Sequence, residues 1–169
     1  MNGIRVNPQT RTVRAEGGCT WGGFNHATYP FGLATTGGII ASTGIAGLTL
    51  GGGIGYLSRA FGLTCDNLLS ADVVTADGRF LVASTSEHED LFWALRGGGG
   101  NFGVVTGIEY ELQPVGPQIV GGPVAWRAES APEVLEAFRK TANDAPPELT
   151  LVAVMRKAPP APWIDKSAH

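Results

Sequence analysis

The residues whose types and spacing could do chemistry in this chain are glycines. Eight of them fall in the nineteen residues from Gly37 to Gly55, interleaved with Ile, Leu, Ala and Thr. A Gly/Ser linker lacks apolar residues at this density. Glycine alternating with apolar side chains fits a backbone that is packed firmly and still approached closely by something else. The run contains no Lys or Arg, and Arg59 is the only one between Arg14 and Arg79. A phosphate-bearing ligand here must be met mainly by backbone N–H groups converging in a loop. That points towards a large nucleotide cofactor.

Other reactive side chains are sparse. Cys19 and Cys65 are too few and too far apart for a disulfide framework or a CxxC metal site, and they read as small buried apolar residues. His26 has no second ligand or acidic neighbour at helical spacing and reads as a surface residue. The run from Gly98 to Gly103 formally matches GxGxxG. A Rossmann fingerprint, however, follows a strand, opens a helix and has an acidic residue about twenty positions on. Here a helical pattern precedes, a strand pattern follows, and position 123 is proline. No GxxxxGK[ST] phosphate loop occurs anywhere in the chain.

With 169 residues, 43% hydrophobic and 16% charged, the chain can bury one real core and falls in the ordinary globular class. A net charge of −3 argues against nucleic acid as a partner, because no basic face is clustered. No apolar run approaches the roughly 20 residues needed to span a bilayer, and no signal-like segment opens the chain. The expectation is a cytoplasmic protein with no membrane partner.

The elements that must position the glycines are legible from periodicity. Residues 3–6 and 11–15 alternate as two strands around an Asn-Pro turn. Thr20 caps a helix through Trp21, Phe24 and Ala27, which Tyr29-Pro30 and Gly32 end. The glycine run reads as a packed loop, and residues 56–61 as a short helix stopped by Gly62. Residues 68–75 and 79–83 form a hairpin whose Asp77-Gly78 supplies the positive φ angles of a tight primed turn. Ser86 and Glu89 make a capping box that opens a helix to Arg96, ended by Gly97; residues 104–112 are a strand. Residues 114–117 punctuate the chain. Beyond them lie a strand at 118–126, a helix capped at Ser130 and running to about Asn143, a strand at 149–155, and a Pro-rich end at 159–162.

Five motifs in register give the chain a family resemblance. Arg14-Ala15-Glu16-Gly17-Gly18 with Thr20-Trp21-Gly22, the run from Thr43 to Gly55, Phe61-Gly62-Leu63-Thr64-Cys65-Asp66-Asn67-Leu68, Ala76-Asp77-Gly78, and residues 91–103 resemble the berberine bridge enzyme-like flavoproteins. These are FAD-linked oxidases with an FAD-binding domain of the vanillyl-alcohol oxidase and p-cresol methylhydroxylase type. The resemblance implies an α+β fold: the second subdomain of that FAD-binding domain over residues 1–114, a mostly antiparallel sheet with flanking helices, and the start of a substrate domain over 118–169. It implies FAD as cofactor. By the same resemblance, Thr43, Gly44, Ile45, Ala46, Gly47 and Leu48 match the loop whose amides hold the diphosphate. Gly51, Gly52 and Gly53 continue that wall, and Gly103, Val104 and Val105 match the place where the backbone returns to the cofactor.

Departures from the family pattern define further expectations. The upstream Gly-Gly-His segment, whose histidine often attaches to the flavin, has no counterpart, and Ile40 stands where some members carry a second attaching cysteine. The family's proton-accepting groups lie beyond His169, so no catalytic residue is nominated. Asp66 and Asn67 fit a local cap as well as a site role. The function implied is the FAD-binding part of an oxidoreductase that passes hydride from a small-molecule substrate to FAD, with dioxygen as acceptor. The alternative is a non-catalytic fragment, or a mis-started reading frame, without activity of its own.

Overall fold

The computed structural model describes residues 1–116 and 118–157. The expected Pro-rich end at 159–162 and Pro117 of the punctuating segment lie outside the described residues. The chain divides into two compact units, Met1–Gly122 and Pro123–His169.

The first unit opens with β1 (Ile4–Asn7) and β2 (Thr12–Glu16), paired antiparallel. Their turn is held by the Asn7 side chain, which accepts from the Gln9 and Thr10 N–H groups at 3.1 and 3.3 Å. Next come α1 (Trp21–Thr28), β3 (Leu33–Ala34), α2 (Ile45–Leu50), α3 (Ser58–Phe61), β4 (Leu68–Val74), β5 (Phe80–Ser84), α4 (Glu89–Leu95), β6 (Val104–Glu111) and β7 (Gln113–Pro114). Five strands form one antiparallel sheet in the order β1-β2-β6-β4-β5, while β3 and β7 pair separately.

Period-2 alternation decides which side of the sheet is covered. Val13 and Ala15 of β2, Ile108 and Tyr110 of β6, Ala71 and Val73 of β4 and Ala83 of β5 are buried, whereas Arg14 and Glu16 face solvent. The core centres on three aromatic rings. Trp21 lies 5.1 Å from Phe24 and 6.1 Å from Tyr110, and Phe24 meets Tyr110 edge-on at 5.4 Å between centroids. The first helix begins where the sequence places it, with the Thr20 hydroxyl accepting from the Gly23 N–H.

Several local expectations are corrected. The β4–β5 hairpin is a three-residue loop, not a two-residue primed turn. Gly78 alone has positive φ (+82°), its N–H donates to Thr75 O at 2.9 Å, and Thr75 N–H donates to Arg79 O at 3.0 Å. That is a turn followed by a glycine bulge, which needs one left-handed residue where the primed turn needs two. Ser86 does not cap α4. The Ser84 hydroxyl oxygen takes the Ser86 and Glu87 N–H groups, and His88, at φ +48°, occupies the N-cap without a side-chain bond to the helix, its Nδ1 lying 2.9 Å from Val82 O. The glycine run is not all loop, since α2 lies inside it.

In the second unit, α5 (Ala131–Asp144) follows a 3-10 turn at Ala128–Ser130, and Ser130 occupies its N-cap with no side-chain hydrogen bond. The strands expected at 118–126 and 149–155 are not formed. An extended apolar run becomes a strand only when another strand takes its backbone groups, and none among the described residues does so.

Candidate cofactor-binding site

Residues 43–48 are anchored on their inner side by backbone bonds. Trp21 N–H donates to Thr43 O at 3.0 Å, Thr43 N–H to Ile40 O at 3.1 Å, and Ile45 N–H to Cys19 O at 2.9 Å. Ile45 and Thr49, one helical turn apart, are fully buried. The Thr49 hydroxyl donates to Ile45 O at 2.7 Å and lies 2.7 Å from the Tyr110 hydroxyl, which is left as the donor of that bond. Burial raises the Tyr110 pKa above the ordinary phenol range, so this hydroxyl stays neutral and ties α2 to β6.

The outer side of the same residues is bare. Gly44 and Gly47 are exposed. A Cβ on Gly47 would meet nothing within 4 Å, and one on Gly44 would meet only Cys19 O at 4.0 Å. The Ala46 and Gly47 N–H groups belong to the first turn of α2, where a helix offers no acceptor four residues back, and no other described residue accepts from them. Two free donors beside two bare α-carbons make a surface suited to an anion, with the positive end of the helix dipole behind it.

Residues 51–53 behave differently. Gly51 is exposed, and its Cβ position lies 3.5 Å from Gly47 O. Gly52 and Gly53 turn at φ +102° and +80°, and their carbonyls accept from Cys65 and Thr64 N–H, both at 2.9 Å. A Cβ on Gly53 would lie 2.3 Å from Thr64 Oγ1, so packing alone accounts for this glycine. The second glycine cluster joins here, because Gly97 and Gly99 N–H both donate to Leu50 O, at 3.1 and 2.8 Å. Gly103 (φ +147°) is required by the sheet, since a Cβ would fall 2.6 Å from Val74 O. Val104 is exposed and Val105 is buried. The Gly17–Cys19 turn links this strand end to Ile45, with Gly17 N–H donating to Thr106 O at 2.9 Å.

Four buried polar atoms have no partner among the described residues: Trp21 Nε1, Thr35 Oγ1, Thr36 Oγ1 and Thr64 Oγ1. The sequence reading passed over them, although adjacent threonines at the mouth of a glycine run were a visible signal. Asp66 and Asn67 prove to be local caps. Asp66 accepts from Leu63 N–H at 2.8 Å, and the Asn67 side-chain amide donates to Phe61 O and Leu63 O at 2.9 and 2.8 Å. His26 is exposed, and Cys19 and Cys65 are buried free thiols whose pKa values burial pushes up. Among the described residues no three His, Cys, Asp or Glu side chains are grouped to hold a metal ion, and no helix is long and apolar enough to cross a membrane.

Comparison with known proteins shows the family to which this fold belongs. The FAD binding domain family matches residues 1–84. An FAD-linked oxidoreductase of Dictyostelium discoideum is 40% identical over 151 residues, covering 89% of this chain and 33% of that protein. The (R)-6-hydroxynicotine oxidase of Paenarthrobacter nicotinovorans is 39% identical over 136 residues, covering 80% and 29%. Among solved structures, 6-hydroxy-D-nicotine oxidase from Arthrobacter nicotinovorans superposes with a TM-score of 0.64 at 41% identity, covering 66% of this chain and 24% of that one. Xylooligosaccharide oxidase from Myceliophthora thermophila gives 0.65 at 36% identity, covering 66% and 24%.

The chain belongs to the FAD-linked oxidoreductases of the vanillyl-alcohol oxidase type. It spans between a quarter and a third of the length of these FAD-linked relatives. The antiparallel sheet with flanking helices is their fold, and FAD is the family's cofactor. The α2 surface has the features of an anion site. Its donors are neutral amides, its two exposed glycines leave room for close approach, and no Lys or Arg lies within residues 15–58 to compete for the charge.

Proposed function

We propose that this chain supplies one wall of an FAD site in an oxidoreductase acting on a small-molecule substrate, with residues 43–48 holding the diphosphate. The observation that carries the reading is the pair of unpartnered amides of Ala46 and Gly47 beside a glycine that nothing in the fold requires. Thr43, Gly44, Ile45, Ala46, Gly47 and Leu48 form the phosphate-facing set; of the further residues the resemblance implies, Gly51 and Val104 are exposed and could extend it along the cofactor, while Gly52 and Val105 are buried and Gly53 and Gly103 are accounted for by packing. When bound, FAD supplies the redox chemistry, accepting hydride from a substrate C–H and passing electrons to dioxygen. The protein's part is positional. Ile45 and Thr49 fix α2 from below, Tyr110 holds Thr49, and the exposed amides meet the anion with no rearrangement of a basic side chain. The domain limits at 114 and 118 and a cytoplasmic location are part of the same proposal.

The test is titration of the chain with FAD, followed by quenching of flavin fluorescence. Gly47→Val and Gly44→Asp are expected to lose binding at least tenfold, because a branched side chain or a carboxylate would occupy the diphosphate's place. Wild-type affinity in both variants refutes the assignment. No covalent flavin is expected, so acid precipitation should leave all flavin absorbance in the supernatant.

A further inference from the structure

We propose that Arg96 is a positioning residue which locks the two glycine clusters to each other, and so fixes the carboxyl end of α2. The role rests on the reading of residues 43–53 as cofactor-facing. Arg96 is the C-cap of α4, a helix seated by buried Phe92 and Leu95. Its side chain turns back across the Phe92 ring, with the guanidinium carbon 5.7 Å from the centroid. From there Nε donates to Cys65 O at 2.9 Å and Nη2 to Asp66 Oδ1 at 3.2 Å. The other carboxylate oxygen of Asp66 is taken by Leu63 N–H, so the acid is fixed before the arginine reaches it.

These contacts close a ring. The Thr64–Asn67 turn that Arg96 holds donates two backbone bonds to the first cluster, from Thr64 to Gly53 O and from Cys65 to Gly52 O. The residues after Arg96 donate two more, from Gly97 and Gly99 to Leu50 O. Leu50 and Gly52 flank the end of α2, so both bond pairs grip the same corner, and the guanidinium is the side chain that joins the segments making them. The sheet holds α2 through the Tyr110–Thr49 hydroxyl pair, whereas the turns before β4 and β6 are joined to each other at this corner by Arg96. A planar fork with donors in two directions suits a carbonyl and a carboxylate side by side, whereas a lysine ammonium reaches one at a time.

The experiment compares wild type, Arg96→Gln, Arg96→Lys and Gly47→Val by amide-resolved hydrogen exchange and by FAD titration. In Arg96→Gln, the Thr64, Cys65, Gly97 and Gly99 amides should exchange at least tenfold faster while Ile108 and Tyr110 keep their protection, and FAD affinity should fall at least fivefold. Lys should restore less than half of either effect. Unchanged exchange at those four amides overturns the proposal. So does equal acceleration in the sheet, which marks general destabilisation, or full rescue by Lys, which marks a simple charge effect. Gly47→Val separates the two readings: wild-type FAD affinity in that variant refutes the loop assignment, while the exchange pattern of the Arg96 variants still decides the ring.

Discussion

Two groups of glycines within one run serve opposite surroundings. Gly37, Gly53 and Gly55 are filled in by the protein itself: a Cβ would fall 2.5 Å from the Trp21 ring, 2.3 Å from Thr64 Oγ1 and 1.8 Å from Gly37 O, respectively. Gly44 and Gly47 stand exposed with almost nothing near them. The first group explains itself by packing. The second does not, and Gly47 even lies inside a helix, where glycine costs roughly 1 kcal/mol against alanine. A residue that weakens its own helix and touches nothing leaves its α-carbon free for a partner outside the chain. This difference, and not the abundance of glycine, is what the proposed placing of the cofactor at residues 43–48 rests on.

The largest effect should come from adding a methyl group to the packed set. Gly55→Ala places a carbon inside the Gly37 carbonyl, and neither backbone segment is a flexible side chain that can swing away. The expected cost is about 3 kcal/mol or more, as for severe overpacking. Urea unfolding followed by Trp fluorescence measures it. A loss under about 1 kcal/mol would show that the two segments yield easily, and the contrast between packed and open glycines would collapse.

The same contrast shows what was legible in the sequence. The five-stranded sheet could be read because its strands alternate apolar and polar residues, as in Val13, Arg14, Ala15, Glu16 of β2, and because Gly78 and Gly62 mark stops that only glycine makes easily. The helix α2 could not, since it has only six residues between Gly44 and Gly51 and holds Gly47 inside; burial of Ile45 and Thr49 forms it instead. Ser86 carried a capping pattern, but α4 starts two residues later than that pattern implies, with His88 at its N-cap, and the Ser84 hydroxyl takes the Ser86 and Glu87 N–H groups in the turn before it. In the second unit, alternation at 149–155 had no strand to pair with among the described residues. The assignment of residues 43–48 to a phosphate rests on the motif and remains a proposal. That some glycines of the run from Gly37 to Gly55 serve packing while Gly44 and Gly47 leave open space became visible only in three dimensions.

A smaller and opposite effect sharpens the comparison. Gly47→Ala should raise stability by about 0.5–1 kcal/mol, because it removes glycine's backbone entropy within a helix and the new methyl group meets nothing within 4 Å. FAD affinity should drop in the same variant. Opposite signs in the unfolding midpoint and in the titration would mark a position kept for binding at the expense of the fold. A destabilised Gly47→Ala would mean that something packs there after all.

The smallest effect concerns the inner face of α2, where Tyr110 and Cys19 lie. Burial raises the Tyr110 phenol above its usual 10.0 and the Cys19 and Cys65 thiols above their usual 9.0. Each group therefore holds its proton longer in the folded chain than in the unfolded one. As pH climbs through the ordinary thiol range and then the phenol range, the unfolded chain loses protons first, and stability falls with pH. Below that range the three groups are protonated in both states and contribute no slope. Stability measured from pH 7 to 10.5 should be flat at first and then decline, more steeply once phenol ionisation begins. Tyr110→Phe removes the phenol and should flatten the upper part of the decline while leaving the thiol part. If the decline in Tyr110→Phe matched that of the wild type, the hydroxyl that holds Thr49 would be ionising as easily in the folded chain as in water, and the inner face of α2 would be no drier than its outer one.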